Sequence, residues 1–174
     1  VYLAGSSDDP SYPVAPGALA YQGGLWDAYM MRFRYAPGNP LQDATRDWVT
    51  YYGGTDRERF TELRVSNNNS RLYAVGWTTS EDVIKLPNVD PMDATYFQAS
   101  LSGTTDGVFA AFDPLLGTLQ RAFYFGGNGV DLIAAIEEDV NGRIFLAGTT
   151  STSTGGYNAC NATVNSLPLC DPAT

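Results

Sequence analysis

The chain has 174 residues, 44% of them hydrophobic, 13% aromatic and 17% charged, with a formal net charge of −9. That composition suits a globular domain with a sizeable core and argues against intrinsic disorder. Ten basic residues, Lys85 the single lysine among them, leave no basic footprint for nucleic acid or an anionic membrane, and the lack of histidine removes the commonest metal ligand and general base.

No apolar run is long enough for a membrane-spanning helix. In chain order, short apolar and aromatic runs alternate with Gly, Pro, Asn, Asp and Ser clusters, the pattern of strands bounded by turns. The first run is Val1-Tyr2-Leu3-Ala4-Gly5-Ser6-Ser7, followed by a Pro-rich stretch over 8–24. Strands are then predicted near 27–33, 47–52, 60–66 and 71–77. A second Pro-rich stretch covers 79–104. Further strands are predicted near 106–112, 119–125, 131–139 and 143–149, ahead of a last stretch over 151–174. Residues 131–138 carry the best helical periodicity. The Asn141-Gly142 pair just beyond them favours a type I′ hairpin turn, so they are read as a strand entering a hairpin. The fold class is all-β.

The chain also repeats itself. Val1-Tyr2-Leu3-Ala4-Gly5 returns as Leu72-Tyr73-Ala74-Val75-Gly76 and as Ile144-Phe145-Leu146-Ala147-Gly148. Tyr51-Tyr52-Gly53-Gly54 returns as Tyr124-Phe125-Gly126-Gly127. The Asp27–Phe33 segment returns as Asp106–Phe112, and Leu86-Pro87-Asn88-Val89-Asp90-Pro91 returns as Leu167-Pro168-Leu169-Cys170-Asp171-Pro172. The elements keep their order while their spacing drifts, as loop insertions between fixed strands would make it. Four strands per unit predict β-propeller blades. The expected division is a last strand and crossover over 1–24, a complete blade over 25–78, a crossover over 79–104, a second blade over 105–150 and a crossover over 151–174. Proline in the crossovers suits a connection better than a central strand. Two such units cannot close a ring, so the chain is expected to be part of a longer protein with blades on both sides.

The double glycines have a structural and a functional reading. Glycine permits a tight turn or a close approach to a neighbouring blade. A phosphate-cradling loop needs a helix start and usually a following Lys or Arg, which Gly53-Gly54 and Gly126-Gly127 lack. The structural reading is favoured.

Several motifs carry a family resemblance. They are Thr50-Tyr51-Tyr52-Gly53-Gly54, Asp139-Val140-Asn141-Gly142-Arg143 with the strand after it, Tyr12-Pro13-Val14-Ala15-Pro16-Gly17-Ala18 and Gly23-Gly24-Leu25-Trp26-Asp27-Ala28-Tyr29. Together they resemble the SBBP type of β-propeller repeat over nearly the whole chain. The variant at 86–98 is similar to units of secreted or cell-surface proteins of Bacteroidota-like bacteria. Ser66-Asn67-Asn68-Asn69-Ser70 departs from the family's Asp-x-x-Gly-Asn hairpin, and 34–46 is a longer insertion. The resemblance implies an extracellular or cell-surface repeat protein, and no shared catalytic residues come with it. In an exported protein, Cys160 and Cys170 would pair and close their loop, for about 3 kcal/mol in the chain-entropy model. Two free buried thiols are the alternative.

Other chemistry is thinly encoded. Glycoside hydrolysis needs two carboxylates facing each other across a cleft, and the acidic residues read mainly as turn residues. For calcium, Asp90 and Asp93 are the first candidates, ahead of Asp8-Asp9. Neither has a standard loop spacing. Glu137-Glu138-Asp139 reads as an exposed strand end. Most aromatics fall at core-filling strand positions, while Trp26 and Trp77 are the candidates for a surface glycan contact. The expected function is therefore non-catalytic: an extracellular scaffold, adhesin or partner-binding platform without a cofactor. Its expected partners are the remaining blades of its own chain and other surface or secretion-system proteins, with no nucleic acid and no membrane insertion. A secreted carbohydrate-active enzyme or a glycan-binding lectin on a propeller is the alternative.

Overall fold

The computed structural model describes residues 1–35, 38, 44–86 and 98–152, which form nine strands and no helix. The strands are β1 (Tyr2–Ser7), β2 (Asp27–Tyr35), β3 (Ala44–Tyr52), β4 (Glu58–Val65), β5 (Leu72–Thr78), β6 (Asp106–Phe112), β7 (Leu119–Phe125), β8 (Asp131–Glu138) and β9 (Ile144–Thr150). The all-β reading holds, and 131–138 is a strand as expected. All strand pairs are antiparallel and make three sheets. Sheet 1 is β1-β2-β3, sheet 2 is β4-β5-β6-β7 and sheet 3 is β8-β9. Among the described residues, no sheet closes on itself.

The strand positions agree with the sequence, but the grouping does not. Residues 25–78 were expected to form one blade, yet β2 and β3 belong to sheet 1 while β4 and β5 belong to sheet 2. Likewise 105–150 is split, with β6 and β7 in sheet 2 and β8 and β9 in sheet 3. The stretches 8–24 and 79–104 are therefore not crossovers to a new sheet. They join β1 to β2 and β5 to β6, which are hydrogen-bonded neighbours. The passage between sheets is made instead by the short links that hold Gly53-Gly54 and Gly126-Gly127. A sequence that repeats four strands in cyclic order looks the same whichever strand a sheet starts on, so pairing alone reveals the phase.

The layers pack face to face around three clusters. Between sheets 1 and 2 lie Met30, Trp48 and Tyr52 against Phe60, Leu72, Val108, Phe112 and Tyr124, all buried. Phe60 stacks on Tyr52 and meets Phe112 edge-on, with ring centroids 5.7 and 6.2 Å apart. Between sheets 2 and 3, Tyr73, Val75, Phe109 and Phe123 meet Ile133 and Ile136. On the outer face of sheet 1, Met31, Val49 and Tyr51 are covered by Tyr12, Val14 and Tyr21 of the β1–β2 connection. With both faces covered, β5 and β6 lose the polar alternation of a half-exposed strand, which is why they read as nearly unbroken apolar runs.

Two hairpins correct the predicted turn chemistry. Between β8 and β9, the Gly142 N–H donates to the Asp139 carbonyl and only Gly142 has positive φ, at 80°. A type I′ turn would need positive φ at Asn141 as well; this is a type I turn followed by a left-handed residue. Between β4 and β5, the Asn69 N–H donates to the Ser66 carbonyl, and Asn69 takes the left-handed place with φ 57°. The 66–70 hairpin therefore keeps the geometry of the 139–142 turn despite its different sequence, because Asn tolerates the conformation that Gly adopts at Gly142.

Bulges place the third repeated glycine. The β4–β5 register shifts between Phe60 and Glu62, and the β8–β9 register between Ile133 and Ala135. Opposite them sit Gly76 and Gly148, where a Cβ would overlap the carbonyl oxygens of Arg59 and Leu132. Gly5 occupies the same place on β1, but β1 pairs only with β2 among the described residues, and a Cβ there would touch only the Tyr29 ring at 3.4 Å.

Candidate functional site

The polar centre of the molecule is a pair of corners where one sheet hands over to the next. At the first, β3 ends in Tyr52 and the chain turns through Gly53-Gly54 into β4. Trp26 bridges Arg57 in parallel there, the Leu25 N–H donates to the Asp56 carbonyl, and the Glu58 N–H donates to the Trp26 carbonyl. At the second, β7 ends in Phe125 and turns through Gly126-Gly127 into β8. Thr105 bridges Val130, and the Asp131 N–H donates to the Thr105 carbonyl. Both corners thus stitch together the starts of strands in two sheets, β2 with β4 and β6 with β8.

Each corner encloses two carboxylates. Asp27, Glu58 and Asp106 are fully buried and Asp131 is 2% exposed. Glu58 accepts hydrogen bonds from the Gly54 N–H (2.9 Å) and the Thr78 hydroxyl (2.6 Å). Asp131 accepts from the Gly127 N–H and the Thr152 hydroxyl, both at 2.8 Å. The supporting turns also repeat: Ser80 N–H donates to Thr78 Oγ1 and Thr152 N–H to Thr150 Oγ1. The glycines make room for the acids. A Cβ on Gly53 would run into the Asp27 carboxyl, and one on Gly126 would come within 2.7 Å of the Asp106 carboxyl carbon. The double glycines are structural, but what comes close is a buried carboxyl of the adjacent strand in the same sheet, where a neighbouring blade or a positive-φ turn was expected.

The acids at the starts of β2 and β6 differ in how they are held. Asp106 accepts from Gln98 Nε2 (2.7 Å), the Ser102 N–H (2.9 Å) and the Gly103 N–H (3.3 Å). Asp27 accepts from the Gln22 N–H (2.6 Å) through Oδ2, while its Oδ1 accepts no hydrogen bond. Burial, aided by the charge of Glu58, raises the Asp27 pKa to about 6 against the opposing Gln22 bond. Burial also raises Asp106 and Glu58, with their hydrogen bonds pulling the other way. A carboxyl of pKa about 6 could serve as an acid, but general acid catalysis needs reach to a substrate. Among the described residues, Asp27 is enclosed by protein, and Glu58 spends both oxygens on internal donors. The corners are built as buried joints.

The residues singled out from sequence are dispersed. Cys160, Cys170, Asp90 and Asp93 lie outside the described residues. Asp9 accepts from the Ser11 N–H at the exposed end of β1. The run 137–139 is not simply an exposed strand end. Glu137 pairs with Arg64 at 2.6 Å and Asp139 folds back on the Asn141 and Arg143 N–H groups, but Glu138 is only 9% exposed and takes the Asn67 N–H and the Tyr73 hydroxyl. Glu138 turns inward because it sits on the core-facing side of β8. Trp26 is 44% exposed with the Arg57 guanidinium 5.3 Å from its ring centre, whereas Trp77 is half-buried. Among the described residues, no three acidic or sulfur ligands gather to hold a metal.

The four corner carboxylates were not selected from sequence, where the acids read as turn residues. Their signal was present: an acid recurs at the first position of the Asp27 and Asp106 strands and again four residues after each second glycine. No known family model and no curated protein matches the chain.

Proposed function

We propose that this chain is a non-catalytic structural and interaction module, a run of propeller-type repeats that serves as an extracellular scaffold or partner-binding platform. The observation that carries this reading is the use made of the buried acids. At both corners the carboxylates accept the chain's own backbone and hydroxyl donors and join one sheet to the next, where a hydrolase would direct them into an open cleft. The repeat in sequence is matched by a repeat in packing, as a solenoid or propeller requires. The likeness to exported SBBP-type repeats supports a place at the bacterial cell surface.

A glycan-binding role is the second reading. It rests on Trp26 and its neighbour Leu25, which are 44% and 52% exposed beside Arg57.

The test is a panel of glycan and ester substrates offered to the purified chain, alongside glycan-array binding. No turnover and no array signal are expected. Turnover abolished by Asp27→Asn or Asp106→Asn would overturn the scaffold reading. A glycan signal lost in Trp26→Ala would replace it with the lectin reading.

A further inference from the structure

Three copies of one strand type sit in three environments. In β5, flanked by β4 and β6, Leu72, Tyr73, Ala74 and Val75 are all buried. In β9, which pairs only with β8 among the described residues, Phe145 is 54% exposed and Ala147 to Thr150 are exposed throughout. Phe145 occupies the position of Tyr73, which is 6% exposed. The difference is what β6 and β7 supply to β5.

Two clefts open along β9, of about 520 and 180 Å³. The larger is walled by Tyr73, Phe109, Phe123, Ile144 and Leu146, with Arg71 at its rim. The corresponding space between sheets 1 and 2 is filled. There the β6–β7 hairpin sets Ala110 and Phe112 against Met30 and Trp48, and Gly117 of its turn lies on the Trp48 ring. Tyr2, the counterpart of Tyr73, donates its hydroxyl to the Pro114 carbonyl of the same turn. One interface is therefore complete, and the next follows its register as far as β9.

We propose that β9 and its two clefts are the receptor for a hairpin of the β6–β7 kind, supplied by another unit of the same repeat. The hairpin would add to β9 as an antiparallel strand pair, with main-chain bonds giving affinity and alternate side chains filling the clefts. The chemistry of the partner is specified by the filled interface. It has Asp and a small residue at its start, as in Asp106-Gly107, to reach the glycine corner. Apolar residues at the places of Val108, Ala110 and Phe112 follow, then a Gly-bearing turn, and an aromatic pair ahead of Gly-Gly. This inference rests on the repeat reading above.

The test appends a second copy of residues 103–127 after Thr174. That places 27 residues between β9 and the new strand, as many as separate β5 from β6. Amide hydrogen exchange across 144–150 is then compared with that of the unextended chain. The appended hairpin is expected to slow exchange at least tenfold. A copy carrying Val108→Asp and Phe112→Asp, both on the face that meets the preceding sheet, is expected to leave it unchanged. Unaltered exchange with the intact copy, or equal slowing by the substituted copy, would overturn the proposal. So would protection of 144–150 that grows with concentration in the unextended chain, since that places a second molecule in the slot. Substrate turnover would sink the non-catalytic reading and leave this result standing.

Discussion

The two glycine corners are built to one plan and differ in how their acids are partnered. At the second corner, Gln98 donates to Asp106 and accepts the Gly126 N–H, so one side chain binds the acid and the turn together. The first corner has no such side chain, and there Asp27 keeps one oxygen without a donor, as Asp131 does at the second. The lesson is that the repeat conserves the positions of buried charge more strictly than the means of satisfying it. A buried carboxylate short of donors costs free energy until it takes a proton.

Both corners depend first on the space left by glycine. Gly53→Ala and Gly126→Ala should each cost about 3 kcal/mol, the upper end of what overpacking typically costs. Thermal unfolding would measure it, and a shift under about 2 °C in either variant would show that the acids can move aside. Next in size is Gln98→Ala, which makes the second corner resemble the first. Loss of its bonds to a buried acid and a backbone amide should cost about 1–3 kcal/mol in denaturant unfolding. The same change should raise the Asp106 pKa further, readable by carboxyl NMR titration.

The pH dependence sharpens the contrast. The Asp27 pKa is about 6 when folded, above the unfolded value near 3.9. The folded state therefore holds the extra proton between those values. Its contribution is complete below about pH 4 and is lost as pH rises through 6. Stability should fall over that window, and Asp27→Asn should make the fall shallower, leaving the part owed to Glu58 and Asp106, whose values burial also raises. An unchanged slope in Asp27→Asn would remove Asp27 from the account. The smallest effect is expected at the rim, where Trp26 and Arg57 of the first corner correspond to Thr105 and Val130 of the second. Trp26→Thr should cost no more than about 1 kcal/mol in urea unfolding, the worth of an exposed cation–π pair.

Much of the fold was legible because its signals are local. Glycine, proline and aromatic spacing marked every strand, and the recurrence of Tyr51-Tyr52-Gly53-Gly54 marked the corners. The phase of the sheets was not legible. Whether β3 continues to β4 across a sheet or between sheets depends on contacts between residues far apart, and a cyclic order of four strands carries no mark of where a sheet begins. The corner acids were hidden for a related reason. Asp27 and Asp106 stand beside turn glycines, so they resemble solvated turn residues until the neighbouring sheet is placed over them. Asn69 shows the converse, a sequence departure with no structural consequence, since Asn and Gly share access to the left-handed region.

The way the chain fills its sheets bears on how the molecule comes apart. Residues 27–78 give two strands to sheet 1 and two to sheet 2, and residues 106–150 give two to sheet 2 and two to sheet 3. Counted from β4 instead, one repeat length, 58–125, is the whole of sheet 2, with sheet 1 in the stretch before it and sheet 3 in the stretch after. Arrays whose sequence and structural units coincide can fray from the ends, one unit after another. Here each layer is one unbroken stretch of chain joined to the next by a short glycine link, so tension along the chain would load the layers in series, and partial melting would tend to halt at the corners where one sheet hands over to the next.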